Sequence, residues 1–228
     1  MLVRRWSLVV LAALIAVLPA CSGDSELGSL PDAGTLTAQS AKTAAGITST
    51  HFGIDVAGTV PGFGVDKIDG DLTAEGGDVG AKGTAIITAL GAAAEVSFVL
   101  ADGTLYLDTG GGYQVIPASQ AKVVYDFAAV LDPSRGVAAL IRGIANAETV
   151  AAEEVNGTPS YKITGTAAKE DIAGLIPGAN SDADITLWVS QGDGNQPVKA
   201  ALDFPGKSGT VTVTLSDINE PVTIVPPQ

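Results

Sequence analysis

The residues that could do chemistry are few. The chain has one histidine, His51, and one cysteine, Cys21, in 228 residues. Nucleophilic catalysis needs a nucleophile, a base beside it and a third group to orient the base. No G-x-S-x-G sequence supplies a serine elbow. His51 falls on the polar side of an alternating stretch and is expected to be an exposed structural histidine. Zinc needs three or four Cys, His or carboxylate ligands, and His51 alone cannot seed a site. Asp66, Asp69, Asp71, Glu75 and Asp78 form an acidic group. They lack the D-x-D-x-D-G spacing of a calcium loop and fit solvated strand ends and turns. Gly62-Phe63-Gly64 lacks the third glycine and following helix of a dinucleotide fingerprint. Nothing places two carboxylates across a cleft for glycoside hydrolysis. The expectation is no catalytic residue, no metal and no cofactor.

Cys21 has a different chemistry. Met1 to Ser7 carries Arg4 and Arg5, and Leu8 to Leu18 is unbroken apolar sequence. That run is too short for a bilayer-spanning helix, which needs about 20 apolar residues. It fits the hydrophobic region of a secretory signal ahead of small residues at a cleavage point. The segment resembles a bacterial lipoprotein signal peptide, in which the residue after the cut is a cysteine that becomes diacylated. Leu18-Pro19-Ala20-Cys21 would be that box, with Pro19 a departure from it. Residues 1–20 would then be removed and Cys21 acylated, by palmitate or a similar chain. Two acyl chains anchor a protein stably where one does not. The alternative is an ordinary signal peptide with an incidental cysteine, which leaves a lone thiol in an oxidising compartment.

Removing residues 1–20, which hold two arginines and no acid, takes the formal charge from −13 to −15. A chain so acidic is a poor nucleic-acid binder, because phosphate contacts need clustered Lys and Arg. It will not hold an anionic bilayer by charge either. One cysteine permits no internal disulfide, so stability must come from apolar burial. The 28 glycines and abundant alanines point to small side chains rather than a dense aromatic core.

The elements follow from periodicity and punctuation. Residues 21–31 are a polar, flexible tether, and 32–228 form one domain. Asp32 to Ile47 is an Ala-rich helix, with Asp32 or Thr35 as cap and Gly46 at its end. Strands are predicted near 52–60, 65–74, 79–90, 92–101, 104–108 and 113–116. Asp102-Gly103 marks a tight hairpin. Ala121 to Leu131 is read as helical. Asp132-Pro133 is read as the cap and first residue of a helix with Val137, Leu140, Ile141 and Ile144 on one stripe. A second β region starts near Thr149, with Asn156-Gly157 as its hairpin turn. It continues through Tyr161 to Gly165, a short helix over 167–176, and strands around 185–189, 198–204 and 211–215. A short edge strand is expected near Val222 to Val225. Trp188 points away from Leu187, either under a covering loop or at a rim. About ten to eleven hairpin-joined strands and three or four helices argue an α+β fold, one large antiparallel sheet with helices on one face. Sheets this wide curl.

These residues also carry a resemblance. Gly70-Asp71-Leu72-Thr73, Ala101-Asp102-Gly103-Thr104-Leu105-Tyr106 and Val130-Leu131-Asp132-Pro133-Ser134-Arg135-Gly136-Val137-Ala138 resemble the mycobacterial LppX/LprA/LprF/LprG lipoprotein family, most of all its LprG members. So do Ile144-Ala145-Asn146-Ala147, Val155-Asn156-Gly157 and the ending Val222-Thr223-Ile224-Val225-Pro226-Pro227. The resemblance covers essentially the whole mature chain. Its motifs are turns and helix starts, which identify a fold well and a ligand poorly. Ala89 to Ala94 and Gly110 to Gly112 depart from the family pattern.

The resemblance implies a curved half-barrel with helices on its concave face, like the LolA and LolB carriers, around an apolar cavity for acyl chains. It implies binding of multi-acyl lipids or glycolipids, such as a triacylated glycolipid or triacylglyceride, and outward carriage from the plasma membrane beside an inner-membrane exporter. The protein would be exported to the cell envelope, held at the outer face of the plasma membrane by Cys21, and monomeric. Alternation puts Ala85, Ile87, Val96, Phe98 and Leu100 on the inward face, joined by Ile185, Leu187 and Val189. Val137, Leu140, Ile141 and Ile144 would face them from the helix. These are the expected cavity-lining residues, and ordinary core is the alternative for each. Two other functions stay open: a structural or interaction lipoprotein with a filled core that assists an exporter, and an envelope hydrolase. Against the second stands the missing catalytic constellation.

Overall fold

The computed structural model describes residues 29–60, 63–74, 78–89, 92–117, 120, 125–176 and 178–228. The export signal, Cys21 and most of the tether lie outside the described residues. Helix α1 spans Ala33–Ala44. The Asp32 carboxylate starts it, accepting from the Thr35 amide at 2.8 Å and the Thr35 hydroxyl at 2.9 Å. That satisfies one of the otherwise free donors of the first turn. Its buried face is Leu36, Ser40, Ala41 and Ala44.

Six strands follow: β1 Ser49–Gly58, β2 Val65–Thr73, β3 Gly80–Ala89, β4 Ala92–Ala101, β5 Thr104–Asp108 and β6 Gln114–Pro117. Two short helices come next, α2 Phe127–Val130 and α3 Val137–Arg142. Strands β7 Ala145–Val155 and β8 Thr158–Ala167 precede helix α4 Lys169–Ala173. The chain ends with β9 Ala183–Ser190, β10 Pro197–Asp203 and β11 Gly209–Ser216. Asp102 and Gly103, and likewise Asn156 and Gly157, all have positive φ. That is the twist a two-residue hairpin turn requires.

All eleven strands lie in one antiparallel sheet, ordered β6-β5-β4-β3-β2-β1-β11-β10-β9-β8-β7. Two meanders are therefore joined at the centre by β1 and β11, which pair from His51↔Ser216 to Gly58↔Gly209. The segment between β6 and β7 must then travel from one edge of the sheet to the other. It crosses the concave face and carries α2 and α3 with it.

Register gives one row across the inner face: Leu215, Phe52, Gly70, Gly83, Phe98 and Leu107 on neighbouring strands. A Cβ at Gly70 would fall 2.3 Å from the Lys82 carbonyl oxygen, and one at Gly83 would fall 2.1 Å from that of Asp69. The two backbones approach more closely than side chains permit, so the sheet bends here, between two phenylalanines.

Four expected elements differ. Asp132-Pro133 does not open α3; residues 133–135 form a turn and Gly136 precedes the helix. The Asp132 carboxylate instead accepts from the Ser134 amide and hydroxyl at 2.8 and 2.6 Å, and Gly136 is extended at φ −97°, ψ −151°. Of the helix expected over 121–131, residues 121–124 lie outside the described part, and the described helix is only α2. Val222 to Val225 is not a strand, since Pro221, Pro226 and Pro227 remove ladder donors. This tail is a strap. The Asn219 amide donates to the Ser49 carbonyl at 2.8 Å, the Ser49 hydroxyl donates to the Glu220 carbonyl at 2.7 Å, and Ile224 lies over Gly80. Strand β7 also starts earlier than expected, at Ala145.

Gly83→Ala is expected to lose about 2–4 kcal/mol in urea denaturation, because the methyl meets immobile backbone. Gly111→Ala has nothing within 4 Å and should stay within about 0.5 kcal/mol of the parent.

Candidate functional site

The crossover is pinned on the concave face by a ladder of rings. Phe127 of α2 stacks on Phe98 of β4, with centroids 5.1 Å apart and planes at 24°. Tyr125 meets Phe127 edge-on at 4.9 Å, and Phe63 lies 6.5 Å from Tyr125. Offset and edge contacts of this kind add about 0.5–1.5 kcal/mol each beyond area burial. The turn into α3 is held by charge. Arg135 bridges Asp126 at 3.0 Å and Asp132 at 2.9 Å. Hydrogen bonds from Ser134 and Arg135 push the Asp132 carboxyl down to about 2. Gly136 lets the turn sit against the carbonyls of Ala129 and Val130, where a Cβ would come within 2.3 Å of each.

Under this roof lies an apolar cleft. Its floor is the centre of the sheet: Phe52 and Ile54 of β1, Val211, Val213 and Leu215 of β11, Ala200 and Leu202 of β10, and Ile185 and Leu187 of β9. Its roof is Val130, Val137, Leu140, Ile141, Leu175 and Ile176, with Phe63 and Tyr125 at one side. The cavity between floor and roof has a volume of only about 50 Å³. It is a slot rather than an open cavity.

Five of the expected lining residues border this slot: Val137, Leu140, Ile141, Ile185 and Leu187. The others lie elsewhere in the interior. Val96, Phe98, Leu100 and Val189 are buried, and Ala85, Ile87 and Ile144 pack partly buried against the core. Ile144 lies over Gly165 of β8. Sequence reasoning missed the β1 and β11 residues as lining. Their alternation was visible, but their place at the centre of the floor comes from a pairing across 150 residues of chain. Tyr125 was missed too, because it fell within the stretch read as helical and its place at the slot comes from packing on Phe63 and Phe127.

The convex face carries the polar groups. His51 Nδ1 lies 2.9 Å from Asp71 Oδ1, and Nε2 lies 3.6 Å from Asp69 Oδ2. Lys82 reaches Asp71 at 3.4 Å. The second ring nitrogen faces a carboxylate rather than a hydroxyl, so the pair is not set up to activate a nucleophile. Among the described residues no three His, Cys, Asp or Glu side chains converge as a metal site. Trp188 is buried on the side of β9 away from Leu187, with Lys162 and Lys199 5.3 and 4.8 Å from its ring and its indole N–H donated to Glu153.

The hydrogen bond to Asp71 raises the His51 pKa above 6.5, with Asp69 and Asp217 adding to it against partial burial. A raised folded-state value stabilises fully below pH 6.5 and is lost as pH rises through it. The His51 ring protons, followed by NMR, should therefore titrate with a midpoint above 6.5. Asp71→Asn should bring that midpoint down, and an unchanged midpoint would refute the assignment.

Comparison with known proteins bears on the whole architecture. A sequence model of the LppX_LprAFG lipoprotein family matches residues 32–224. The lipoarabinomannan carrier protein LprG of Mycolicibacterium hassiacum is 35% identical over 218 residues, covering 93% of each chain. That of Mycobacteroides abscessus is 34% identical, covering 98% of this chain and 97% of its own. Among solved structures, LprF from Mycobacterium bovis superposes with a TM-score of 0.78 at 25% identity, over 87% of this chain and 98% of that one. LppX from Mycobacterium tuberculosis gives 0.65 at 26% identity, over 85% and 100%. With its half-barrel sheet, its helices on the concave face and a match over nearly all described residues, the chain belongs to the LppX_LprAFG lipoprotein family.

Proposed function

We propose that this protein is a carrier of multi-acyl lipids or glycolipids, not an enzyme, and that the slot beneath the crossover receives their acyl chains. The observation that carries this reading is an apolar slot at the centre of the sheet, where a filled core would leave no space. Unfilled apolar space forfeits dispersion contacts, and hydrocarbon would restore them. Each buried CH₂ is worth roughly 0.8 kcal/mol, so two or three chains supply ample driving force without covalent chemistry. The relatives named lipoarabinomannan carriers make a glycolipid with several acyl chains the first candidate cargo.

The slot is too narrow for such cargo as it stands, so loading requires the roof to lift. The roof is suited to that. Helices α2, α3 and α4 have four, six and five residues, too short to be stable except by packing. Residues 1–20 would be an export signal, Cys21 the acylated anchor and 21–31 a tether holding the domain 32–228 near the outer face of the plasma membrane. Transfer would run outward through the cell envelope, beside an inner-membrane exporter.

The narrowness of the slot also favours a second reading, a structural lipoprotein whose core simply closes. The test is native mass spectrometry of the Cys21→Ala form from an actinobacterial host, followed by organic extraction. Removing the cysteine makes any lipid found non-covalent. The carrier reading expects a discrete mass increment that extracts as a di-, tri- or tetra-acyl lipid. It expects Leu140→Trp to cut occupancy at least about tenfold while the fold persists. A bare protein mass, no uptake from envelope lipids and about 1–3 kcal/mol of overpacking loss in Leu140→Trp would establish the filled core instead.

A further inference from the structure

The slot stops at β1, although the apolar inner face continues. In register, Ile54 of β1 is followed by Ile68 of β2, Ala85 of β3 and Val96 of β4. All four are apolar and point to the same face of the sheet. Yet the floor is drawn from β9, β10, β11 and β1, and among the described residues none of β2, β3 or β4 borders the slot. The next row, Phe52, Gly70, Gly83 and Phe98, carries no side chain on β2 or β3. The floor itself therefore raises little against a hydrocarbon chain continuing across it. The barrier comes from above.

That barrier is aromatic in an aromatic-poor chain. Three of the five phenylalanines stand with Tyr125 in one ladder of rings. Phe63 and Tyr125 border the slot, whereas Phe98 and Phe127 do not. Tyr125 is only 8% exposed and rests edge-on against Phe127 at 4.9 Å, so the slot side is backed by a ring seated on the sheet. Phe127 of the crossover and Phe98 of the sheet lie 5.1 Å apart, centre to centre. A methylene needs about 4 Å to the carbons on each side of it, so no hydrocarbon passes between these two rings. Beyond them, Val96 is the next inward residue to Phe98 on β4, and Ala85 is its partner on β3. Val96 is buried and Ala85 partly buried, cut off from a slot that their row otherwise leads into.

We propose that this ring ladder is the end wall of the acyl site and sets the longest chain the protein accepts. It rests on the carrier reading and adds a length limit to it. Phe127 is the positioning residue: seated on Phe98, it holds Tyr125, with Phe63 beside it, as the surface that the chain end meets. All four rings come before Arg135 in the sequence, so α3 and α4 can leave the sheet while the wall stays seated. The floor runs over four strands, about 14 Å from β9 to β1. Methylenes beyond the wall stay in water and add nothing to binding. The wall therefore selects by chain length and not by headgroup.

The test offers a length series, diacylglycerols with two equal saturated chains from dioctanoyl- to dieicosanoylglycerol, as an equimolar mixture in dioleoylphosphatidylcholine vesicles. Native mass spectrometry of the Cys21→Ala form reads which of them are bound. In the parent, occupancy should hold up to a limiting length and fall about fourfold for each excluded methylene beyond it. Phe127→Ala should move that limit to longer chains. Adding Ala85→Phe, which refills the space behind the wall, should bring it back. Phe127→Leu keeps apolar bulk without the stack and should move the limit the same way by less, and it carries the test where the alanine variant fails to fold. A limit unchanged in the folded variant, or no limit in the parent, overturns the wall and leaves the carrier reading standing. A parent that takes up no diacylglycerol of any length overturns the carrier reading and the wall together.

Discussion

Everything in this structure depends on the pairing of β1 with β11. Eight residue pairs join the first and last strands of the domain at the middle of the sheet. Once that ladder forms, β6 and β7 become the two free edges. The segment between them has no route except across a face. The face it takes is the apolar one, because both meanders present Phe52, Ile54, Val211, Leu187 and their neighbours on that side. Cleft, roof and floor are consequences of a long-range pairing rather than separate inventions. The pairing is also costly to find, since loop closure over so long a separation must precede its reward.

The roof is assembled from devices that hold backbone in place without long helices. Rings stack on the sheet at one end. Arg135 ties Asp126 to Asp132 in the middle, and glycines at 136 and 174 admit close carbonyls. The Gly70–Gly83 contact supplies the bend beneath it. Motifs that looked like helix starts prove to be fittings of a turn, so they mark this fold without specifying a ligand. At the outer edge, β7 is eleven residues long but interrupted by two register shifts and carries Glu148, Glu153 and Glu154. Irregularity and charge of that kind blunt pairing with other chains. No helix among the described residues is long and apolar enough to cross a membrane.

Much of the architecture was legible along the chain because it is local. Asp102-Gly103 and Asn156-Gly157 fixed two hairpins through their positive φ. Alternation located β4 and β5 to the residue. His51, expected on the polar side of its strand, pairs there with Asp69 and Asp71 on the outer surface. Where reading failed, a local rule met a competing contact. Asp132-Pro133 carries a helix-start signature, but Ser134 and Arg135 capture the carboxylate first.

The sequence by itself determined which side chains face inward, because strand and helix periods are properties of neighbouring residues. It determined the hairpins and the acidic exterior, and its turn motifs already pointed to the family. Only the tertiary structure decided which inward residues share a slot and which are plain core. Phe98 and Leu187 follow the same alternation. One lies under Phe127 and the other borders the narrow slot, because the crossover covers the sheet unevenly. The same holds for Tyr125, which borders the slot only because Phe63 and Phe127 hold its ring there. Period assigns a face, whereas packing between distant segments assigns a neighbour, and a binding site is made of neighbours.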